Sequence, residues 1–325
     1  MVKLIKLFGD DMKPILKWTG GKTSELPIIK QNMPSFIRVV EPFLGGGAFY
    51  FDLEKPGAVN DFNSELIRFY NTLKTDPSIL IKEVGEVQQI KNKFIANDID
   101  EAIQVVFDAC DDEVYQKFIL REVNSKLKFI EKNDVTEPED LILTAGHAAV
   151  YYWCRERYNN GSTDAMWYVM RENGYSGMFR FSSTGKFNVP YGGKSYNSKN
   201  LMDKLTIGES NFKSDFIQQT TFHNLDFEIF LDEHVRTGDF IFLDPPYDTE
   251  FSQYNKEEDF TKEDQIRLRD CLVRKHVPWM VVIKHTDFIE EIYSDFKILR
   301  FGKNYMVNMK NRNDRSVDHL MITNY

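Results

Sequence analysis

The chain has 325 residues, of which 42% are hydrophobic and 28% are charged, values that are ordinary for a globular protein. It contains no run of 18 apolar residues, which excludes a membrane-spanning helix, and its first eleven residues are too short and too mixed for a signal peptide. The three cysteines lie far apart without a CxxC pair, which argues against a disulfide framework or a metal site and predicts a protein of the reducing cytoplasm.

The formal net charge of -9 is unevenly distributed along the chain. Residues 96–140 contain 5 basic and 13 acidic side chains, residues 151–199 contain 7 basic and 3 acidic ones, and residues 297–315 contain 6 basic and 1 acidic. Because salt screens charges beyond about 10 Å, local patches matter more than the total. The two basic patches therefore suit a nucleic-acid partner, and they suit ordinary solvated surfaces equally well.

The N-terminal part of the chain alternates predicted strands and helices. Residues 36–40 predict a short strand, residues 41–47 a glycine-rich turn, and residues 48–53 the start of a helix. A second short strand ends at Asp61, and residues 63–73 have helical spacing. This βαβα order predicts an α/β fold with a doubly wound, mostly parallel sheet.

The middle of the chain has a different pattern. We predict that residues 80–145 are helical and acidic, and that residues 146–205, rich in glycine, asparagine, serine and aromatic residues, form loops and short hairpins. Strand patterns then resume at residues 239–243, 278–283, 297–301 and 319–324. We therefore predict one sheet domain formed by residues 1–80 and 215–325, interrupted by an inserted domain at residues 81–214.

The most specific motif is Asp244-Pro245-Pro246-Tyr247, which follows the apolar run 239–243. Ligands of open α/β sheets bind beyond the carboxyl ends of the strands. The prolines carry no N–H, so the turn offers the Asp244 carboxylate and carbonyl oxygens such as that of Pro245 beside an aromatic ring. Such acceptors suit the two hydrogens of an exocyclic NH₂ group, whose lone pair then faces a methyl donor. The alternative is a tight turn that only ends a strand.

A glycine-rich turn and two acidic residues indicate a cofactor site. The turn at residues 43–47 contains three consecutive glycines, which allow a bound cofactor to approach the backbone. Glu41 and Asp61 end the first two predicted strands, where an acid typically binds the ribose hydroxyls of an adenosine-containing cofactor. The turn does not match GxGxxG, which argues against a dinucleotide, and a merely flexible turn is the alternative.

The segment at residues 17–22, Lys-Trp-Thr-Gly-Gly-Lys, superficially matches the end of a phosphate-binding loop. Such a loop requires a glycine where this chain has Leu16. We therefore reject a nucleotide hydrolase.

Together, these blocks resemble the Dam-type family of DNA adenine-N6 methyltransferases over about residues 1–75, 167–193 and 222–325. The resemblance implies a Rossmann-like methyltransferase fold that uses S-adenosylmethionine, with the sheet domain catalytic and the insertion carrying target recognition. It implies that the catalytic motif is formed by Asp244, Pro245, Pro246 and Tyr247. It also implies the following cofactor-binding residues: Trp18, Thr19, Gly20, Lys22, Glu41, Phe43, Gly45, Gly47, Asp61, Asp226, Phe227 and Asp244.

Within that set, the resemblance implies particular roles. The segment 17–22 would wrap the methionine part of the cofactor, Asp61 would bind its ribose, and Asp226 with Phe227 would contact its adenine. The expected chemistry is direct displacement at the methyl group, without a covalent enzyme intermediate, in which positioning supplies most of the rate.

Residues 175–192 resemble the target-recognition hairpin of the same family. The likeness implies that double-stranded DNA is contacted by Tyr175, Ser176, Met178, Arg180 and Pro190. Tyr175 would wedge into the duplex while the adenine flips out, Arg180 would read guanine, and Pro190 would touch a thymine methyl. The alternatives are a core aromatic at Tyr175 and a phosphate contact at Arg180. Ser176 stands where the family commonly has asparagine, so the target GATC is implied with one departure.

Other classes of protein are set aside by the same motifs. A cytosine-C5 enzyme needs a cysteine nucleophile that commonly follows proline, and no cysteine here does. A protein-glutamine enzyme typically begins its turn with asparagine, which argues against that class. A cytosine-N4 enzyme usually begins its turn with serine, and it stays a second alternative. A DNA-binding recognition subunit or a decayed enzyme without activity stays an alternative.

Two further expectations concern partners. We expect the basic loop 308–315 to contact phosphates, and we expect a cognate restriction endonuclease to exist. We assign no role to the acidic segment 86–145.

Overall fold

The computed structural model describes residues 12–18, 20–94, 113–133, 139–161, 163–247, 260–304 and 316–325. Its centre is one sheet of seven strands, namely β1 (Arg38–Glu41), β2 (Gly57–Asn60), β3 (Thr221–His223), β4 (Asp239–Leu243), β5 (Trp279–Lys284), β6 (Lys297–Asn304) and β7 (Ser316–Thr323). The spatial order is β3-β2-β1-β4-β5-β7-β6. The first five strands are parallel, and β7 runs antiparallel to both β5 and β6. The predicted α/β fold with a mostly parallel sheet is confirmed.

Twelve α-helices are described: α1 (Leu26–Asn32), α2 (Ala48–Leu53), α3 (Ser64–Thr75), α4 (Ser78–Lys93), α5 (Glu113–Asn133), α6 (Glu139–Asn160), α7 (Asp164–Asn173), α8 (Leu201–Phe212), α9 (Asp215–Gln219), α10 (Phe227–His234), α11 (Lys262–Val273) and α12 (Asp287–Ile292). Several begin where a side chain accepts an otherwise unpaired backbone N–H. Asn63 caps α3 and Thr163 caps α7, and Thr261 forms a reciprocal capping box with Asp264 at α11. Among the described ranges, no helix combines the length and the apolar character needed to cross a bilayer.

The central parallel strands β2, β1, β4 and β5 are buried, as the strands of parallel sheets generally are. Every residue of β4 is buried, and its side chains alternate between two apolar clusters. Phe240 and Phe242 face the larger cluster, where Phe242 stacks on Phe49 of α2 with ring centroids 3.8 Å apart. Ile241 and Leu243 face the smaller cluster, which α10 and α11 cover. This packing holds the carboxyl end of β4 in place from both sides.

The prediction of loops and hairpins over residues 146–205 is wrong in its first half. Helices α6 and α7 extend to Asn160 and Asn173, and irregular structure begins only after them. All residues of α7 after its first are buried, so it has no polar face that would reveal a helical period. Its aromatic side chains belong to the core rather than to loops. The predicted helices of residues 80–145 are confirmed where they are described, in α4, α5 and the start of α6.

The boundaries of the two predicted domains stay a prediction. The larger apolar cluster includes Phe49 and Tyr70 from the proposed sheet domain and Trp167 and Leu205 from the proposed insertion. The insertion therefore packs directly on one face of the sheet.

Candidate active site

Three acidic residues meet at the carboxyl edge of the sheet. Glu41 is the last residue of β1, Asp61 directly follows β2, and Asp244 directly follows β4. Since β2, β1 and β4 are adjacent and parallel, these residues lie at one edge. The chain order of the strands reverses between β1 and β4, which is the position at which open α/β sheets bind ligands.

The turn after β4 is held by a buried lysine. The Lys22 ammonium is 2% exposed and forms an ion pair with Asp244 Oδ1. It also donates to the hydroxyl of Tyr247 and to the carbonyl of Gly20, both at 3.2 Å. On the other side, Gln265 Nε2 donates to the Pro246 carbonyl at 2.8 Å. These contacts orient both the carboxylate and the aromatic ring of the motif.

The acid at the end of β1 is buried without a complete set of partners. Burial raises the pKa of Glu41 well above its ordinary value, the charges of Asp244 and Asp61 raise it further, and Lys22 opposes them. Glu41 Oε2 makes no hydrogen bond to any described residue. A buried carboxylate oxygen in this state is costly unless a ligand donates to it.

The acid after β2 organises the glycine-rich turn. Asp61 Oδ2 accepts the Gly45 N–H at 2.8 Å, and Oδ1 accepts the Asn63 N–H at 2.9 Å. Burial raises the pKa of Asp61, and these two hydrogen bonds oppose the rise by stabilising the charged form. An ionised carboxylate has about four acceptor positions, so it can still accept hydroxyl groups of a ligand.

Glycine is required in this turn for two separate reasons. Gly45 and Gly47 have φ of 50° and 68°, a left-handed conformation that other residues rarely adopt. A Cβ on Gly45 or Gly46 would stand 2.9 Å from the side chain of Trp18, and one on Gly47 would stand 2.4 Å from Phe51. Trp18 therefore packs directly on the turn that the sequence predicts for the cofactor.

An aromatic cluster lies beside the same edge. The rings of Phe43, Phe227 and Phe260 are mutually 5.6–5.7 Å apart. Asp226 caps α10 by accepting the Glu228 N–H at 2.9 Å, and it pairs with Arg267 at 2.8 Å. Phe43 and Phe227 thus lie in one aromatic cluster, and the Asp226 carboxylate has two partners in the protein.

The predicted recognition residues form an exposed hairpin near this edge. Two antiparallel bridges, Gly174 to Tyr191 and Phe181 to Phe187, define it. Tyr175 is 51% exposed, so the alternative of a core aromatic at this position is wrong. Arg180 is also exposed, and its Nε donates to Asn188 Oδ1 at 3.0 Å, which orients the guanidinium.

The remaining recognition residues differ in exposure and strain. Pro190 is exposed and Met178 is half-buried, while the Pro190 carbonyl accepts the Tyr175 N–H at 2.9 Å. Ser176 is exposed and has φ of 53°, a left-handed conformation that asparagine tolerates better than serine. The asparagine that the resemblance leads us to expect at this position would therefore suit the backbone better than Ser176 does.

Some predicted positions lie outside the described residues, namely Thr19 and the basic loop 308–315. Within the described part of the chain, no group of three or more His, Cys, Asp or Glu side chains is arranged to hold a metal ion.

Sequence reasoning missed the pairing of Lys22 with Asp244 and the support of the turn by Gln265. Neither contact has a local signal, because the partners lie 222 and 19 residues apart in the chain.

Comparisons with known proteins relate the chain to DNA methyltransferases. A family model of D12 class N6 adenine-specific DNA methyltransferases matches residues 18–307. The chain is 30% identical over 327 residues to the type II methyltransferase M1.LlaDCHI of Lactococcus lactis subsp. cremoris, covering 97% of this chain and 96% of that protein. It is 28% identical to the type II methyltransferase M.MjaIII of Methanocaldococcus jannaschii, covering 97% and 100%. It is also 28% identical to the retron Ec67 DNA adenine methylase of Escherichia coli, covering 88% and 82%.

Proposed function

The chain belongs to the family of D12 class N6 adenine-specific DNA methyltransferases, and from this premise we propose that residues 244–247 are its catalytic turn and that S-adenosylmethionine is its methyl donor. One observation carries the proposal. The Asp244 carboxylate stands at the switch point of the sheet, in contact with a buried lysine and beside the buried Glu41. The site thus combines acceptors for an amine with a place for a cofactor.

The catalytic turn acts by accepting and orienting. Asp244 and the carbonyl of Pro245 accept the two hydrogens of the adenine N6 amine, which directs the nitrogen lone pair away from the turn. The negative charge of Asp244 stabilises the positive charge that develops on the nitrogen during transfer. Lys22 keeps the carboxylate in one orientation, so it need not reorganise during the reaction.

Tyr247 completes the turn as a stacking surface for the base. Its hydroxyl accepts from Lys22 at 3.2 Å, and His319 packs edge-on against its ring with centroids 5.9 Å apart. The ring is therefore held before any base arrives. Stacking on a held ring offsets part of the few kcal/mol that extrusion of a base from the duplex costs.

The residues around the glycine-rich turn fit S-adenosylmethionine. When bound, this cofactor supplies a methyl group on a positively charged sulfonium. The unpartnered oxygen of Glu41 can accept from a polar group of the cofactor, and Asp61 has acceptor positions left for ribose hydroxyls. Gly45 holds the turn close against Trp18, and the half-buried ring of Phe43, which packs on the buried Phe227, offers an apolar surface for the cofactor adenine.

The exposed hairpin suits the role of target recognition in double-stranded DNA. Tyr175 projects an aromatic ring into solvent and is available to fill the space left by a flipped base. Arg180 is exposed, so its guanidinium is accessible to the major-groove edge of a guanine. We propose GATC as the target, with Ser176 in place of the family's asparagine. A cognate restriction endonuclease is proposed from the type II methyltransferases among the relatives.

The preference of the enzyme for its DNA target sequence should depend on Arg180. We expect Arg180→Ala to reduce discrimination against a substituted guanine by about 5–150-fold, because a bidentate arginine–guanine contact supplies about 1–3 kcal/mol. The measurement compares methylation rates on duplexes that differ at that one base pair. Lys186→Ala is the matched control, since Lys186 is an exposed cation of the same hairpin. Unchanged discrimination in Arg180→Ala, or the same loss in both variants, would show that another residue reads the guanine.

The proposed function as a whole is tested by expressing the protein in a host that lacks adenine methylation. Single-molecule sequencing of the host DNA should then map N6-methyladenine to one short sequence. Asp244→Ala expressed at the same level is the control, and its DNA should carry no such mark. Unmodified adenines in the wild-type host, with soluble folded protein present, would count against the proposal.

A further inference from the structure

A buried arginine lies between the cofactor turn and the recognition hairpin. Arg171 is in the last turn of α7 and is 1% exposed. Its guanidinium carbon lies 3.9 Å from the ring centroid of Trp18 and 3.8 Å from that of Phe179, so two rings cover the cation. A buried charge is retained only where its surroundings stabilise it, and cation–π contacts strengthen when water is excluded.

Trp18, the first of the two rings, contacts the proposed cofactor site. Trp18 packs against Gly45 and Gly46 so closely that neither position can carry a Cβ without displacing the indole. The N–H of Gly45 donates to Asp61, the proposed ribose ligand. The charge of Arg171 also acts on this acid, because it opposes the rise that burial causes in the pKa of Asp61. A displacement of Arg171 would therefore move the cofactor turn or change the charge on Asp61.

Phe179, the second of the two rings, belongs to the recognition hairpin. Phe179 lies between Tyr175 and Arg180 in the chain and is 4% exposed, with its ring 4.7 Å from that of Phe187 on the opposite side of the hairpin. The next residue, Arg180, is exposed, so Phe179 anchors the exposed recognition side chains to the core. A displacement of Arg171 would equally change the position of these side chains.

We propose that Arg171 is a positioning residue that couples the cofactor turn to the recognition hairpin, so that binding at either site strengthens binding at the other. This inference rests on the proposed function, which assigns the two ligands to the two sites. Coupling between sites is reciprocal, and typical values change affinity about 5–150-fold. Arginine suits this position because its planar guanidinium can stack on two ring faces at once, which the compact ammonium of lysine cannot do.

The test measures the dissociation constant of S-adenosylhomocysteine by calorimetry, without and with a duplex that carries the methylated sequence of the wild type. The ratio of the two constants is the coupling. We expect a ratio of about 5 or more in the wild type, a ratio near 1 in Arg171→Met, and an intermediate ratio in Arg171→Lys. A loss of fold alone would raise the ratio rather than lower it, because bound DNA would restore the folded state that binds S-adenosylhomocysteine.

Arg157→Met is the matched control, because Arg157 also stacks on a tryptophan, Trp153 at 4.9 Å, but is exposed and touches neither site. Its ratio should equal that of the wild type. If circular dichroism shows that Arg171→Met does not fold, the Phe179→Leu variant is measured in its place. It removes one of the two rings and should also lower the ratio.

Three results would overturn the coupling. They are a wild-type ratio of 1, an unchanged ratio in folded Arg171→Met or in the deciding Phe179→Leu variant, and an equal loss in Arg157→Met. In each case both ligands still bind the wild type, and the proposed function stands. Failure of the folded wild type to bind S-adenosylhomocysteine at all would overturn the coupling and the cofactor assignment together.

Discussion

Asp244→Ala should reduce the turnover number for methyl transfer to DNA by at least about 10²–10³-fold, the loss that follows removal of one group aimed at developing charge. The substitution removes an acceptor for the adenine amine and the negative charge that stabilises the nitrogen during transfer. It also leaves the buried Lys22 without the carboxylate it contacts. Transfer of tritium from labelled S-adenosylmethionine to duplex DNA measures the rate, and filter binding measures DNA affinity.

DNA affinity should survive in this variant, because the recognition hairpin is a separate surface. Asp244→Asn separates shape from charge, since it keeps the size of the side chain and one carbonyl oxygen but loses the charge. Asp232→Ala is a control for a lost ion pair elsewhere, as Asp232 pairs with Lys275 in an exposed contact. Tritium transfer by folded Asp244→Ala at a rate near that of the wild type would refute the catalytic role.

Lys22→Met should both inactivate the enzyme and lower its free energy of unfolding by about 3–5 kcal/mol. Lys22 is buried, and its removal leaves both the buried Glu41 and the Asp244 carboxylate, whose side chain is 21% exposed, without the cation that compensates them. Glu41 loses an opposing cation as well, so its pKa should rise further. Denaturant unfolding measures the stability, and the tritium assay measures the activity.

The pH dependence of this defect has a definite sign. Glu41 has a raised pKa in the folded protein, so its favourable contribution is complete below its ordinary pKa and is lost as the pH rises through the folded value. Without Lys22 that loss should be larger and should extend to higher pH. The stability difference between Lys22→Met and the wild type should therefore be smallest in acid, where Glu41 is protonated, and should grow toward neutral pH.

A second substitution tests the cause. Glu41→Gln added to Lys22→Met should restore part of the lost stability, because it removes one of the negative charges that Lys22 opposes. Lys213→Met is the matched control, since Lys213 forms an exposed pair with Glu209 one helical turn away and such pairs contribute little. The ion-pair argument would be contradicted if Lys22→Met lost no more unfolding free energy than Lys213→Met does. It would also be contradicted if adding Glu41→Gln restored none of the lost unfolding free energy.

The turn after β4 could be predicted from sequence because its conformation is set by neighbouring residues. A strand followed by Asp-Pro-Pro-Tyr specifies both the place of the turn and the absence of backbone donors in it. The same holds for the glycine-rich turn, whose conformation and lack of side chains follow from residue type. The helices of residues 139–173 were not predicted correctly over residues 146–173. In α7 every residue after the first is buried, so the sequence lacks the exposed polar face that identifies a helix.

Residue types and their local order were enough to determine the α/β class, the order of the blocks, the two turns at the strand ends, and the family to which they belong. Only the tertiary structure decided that Lys22 contacts Asp244, that the Glu41 carboxylate is buried with an oxygen unpartnered among the described residues, and that Arg171 lies between Trp18 and Phe179. The reason is physical. A turn or a cap depends on neighbouring residues, whereas a buried charge depends on which distant side chains the folded sheet and insertion bring within about 4 Å of it, where desolvation makes each contact strong.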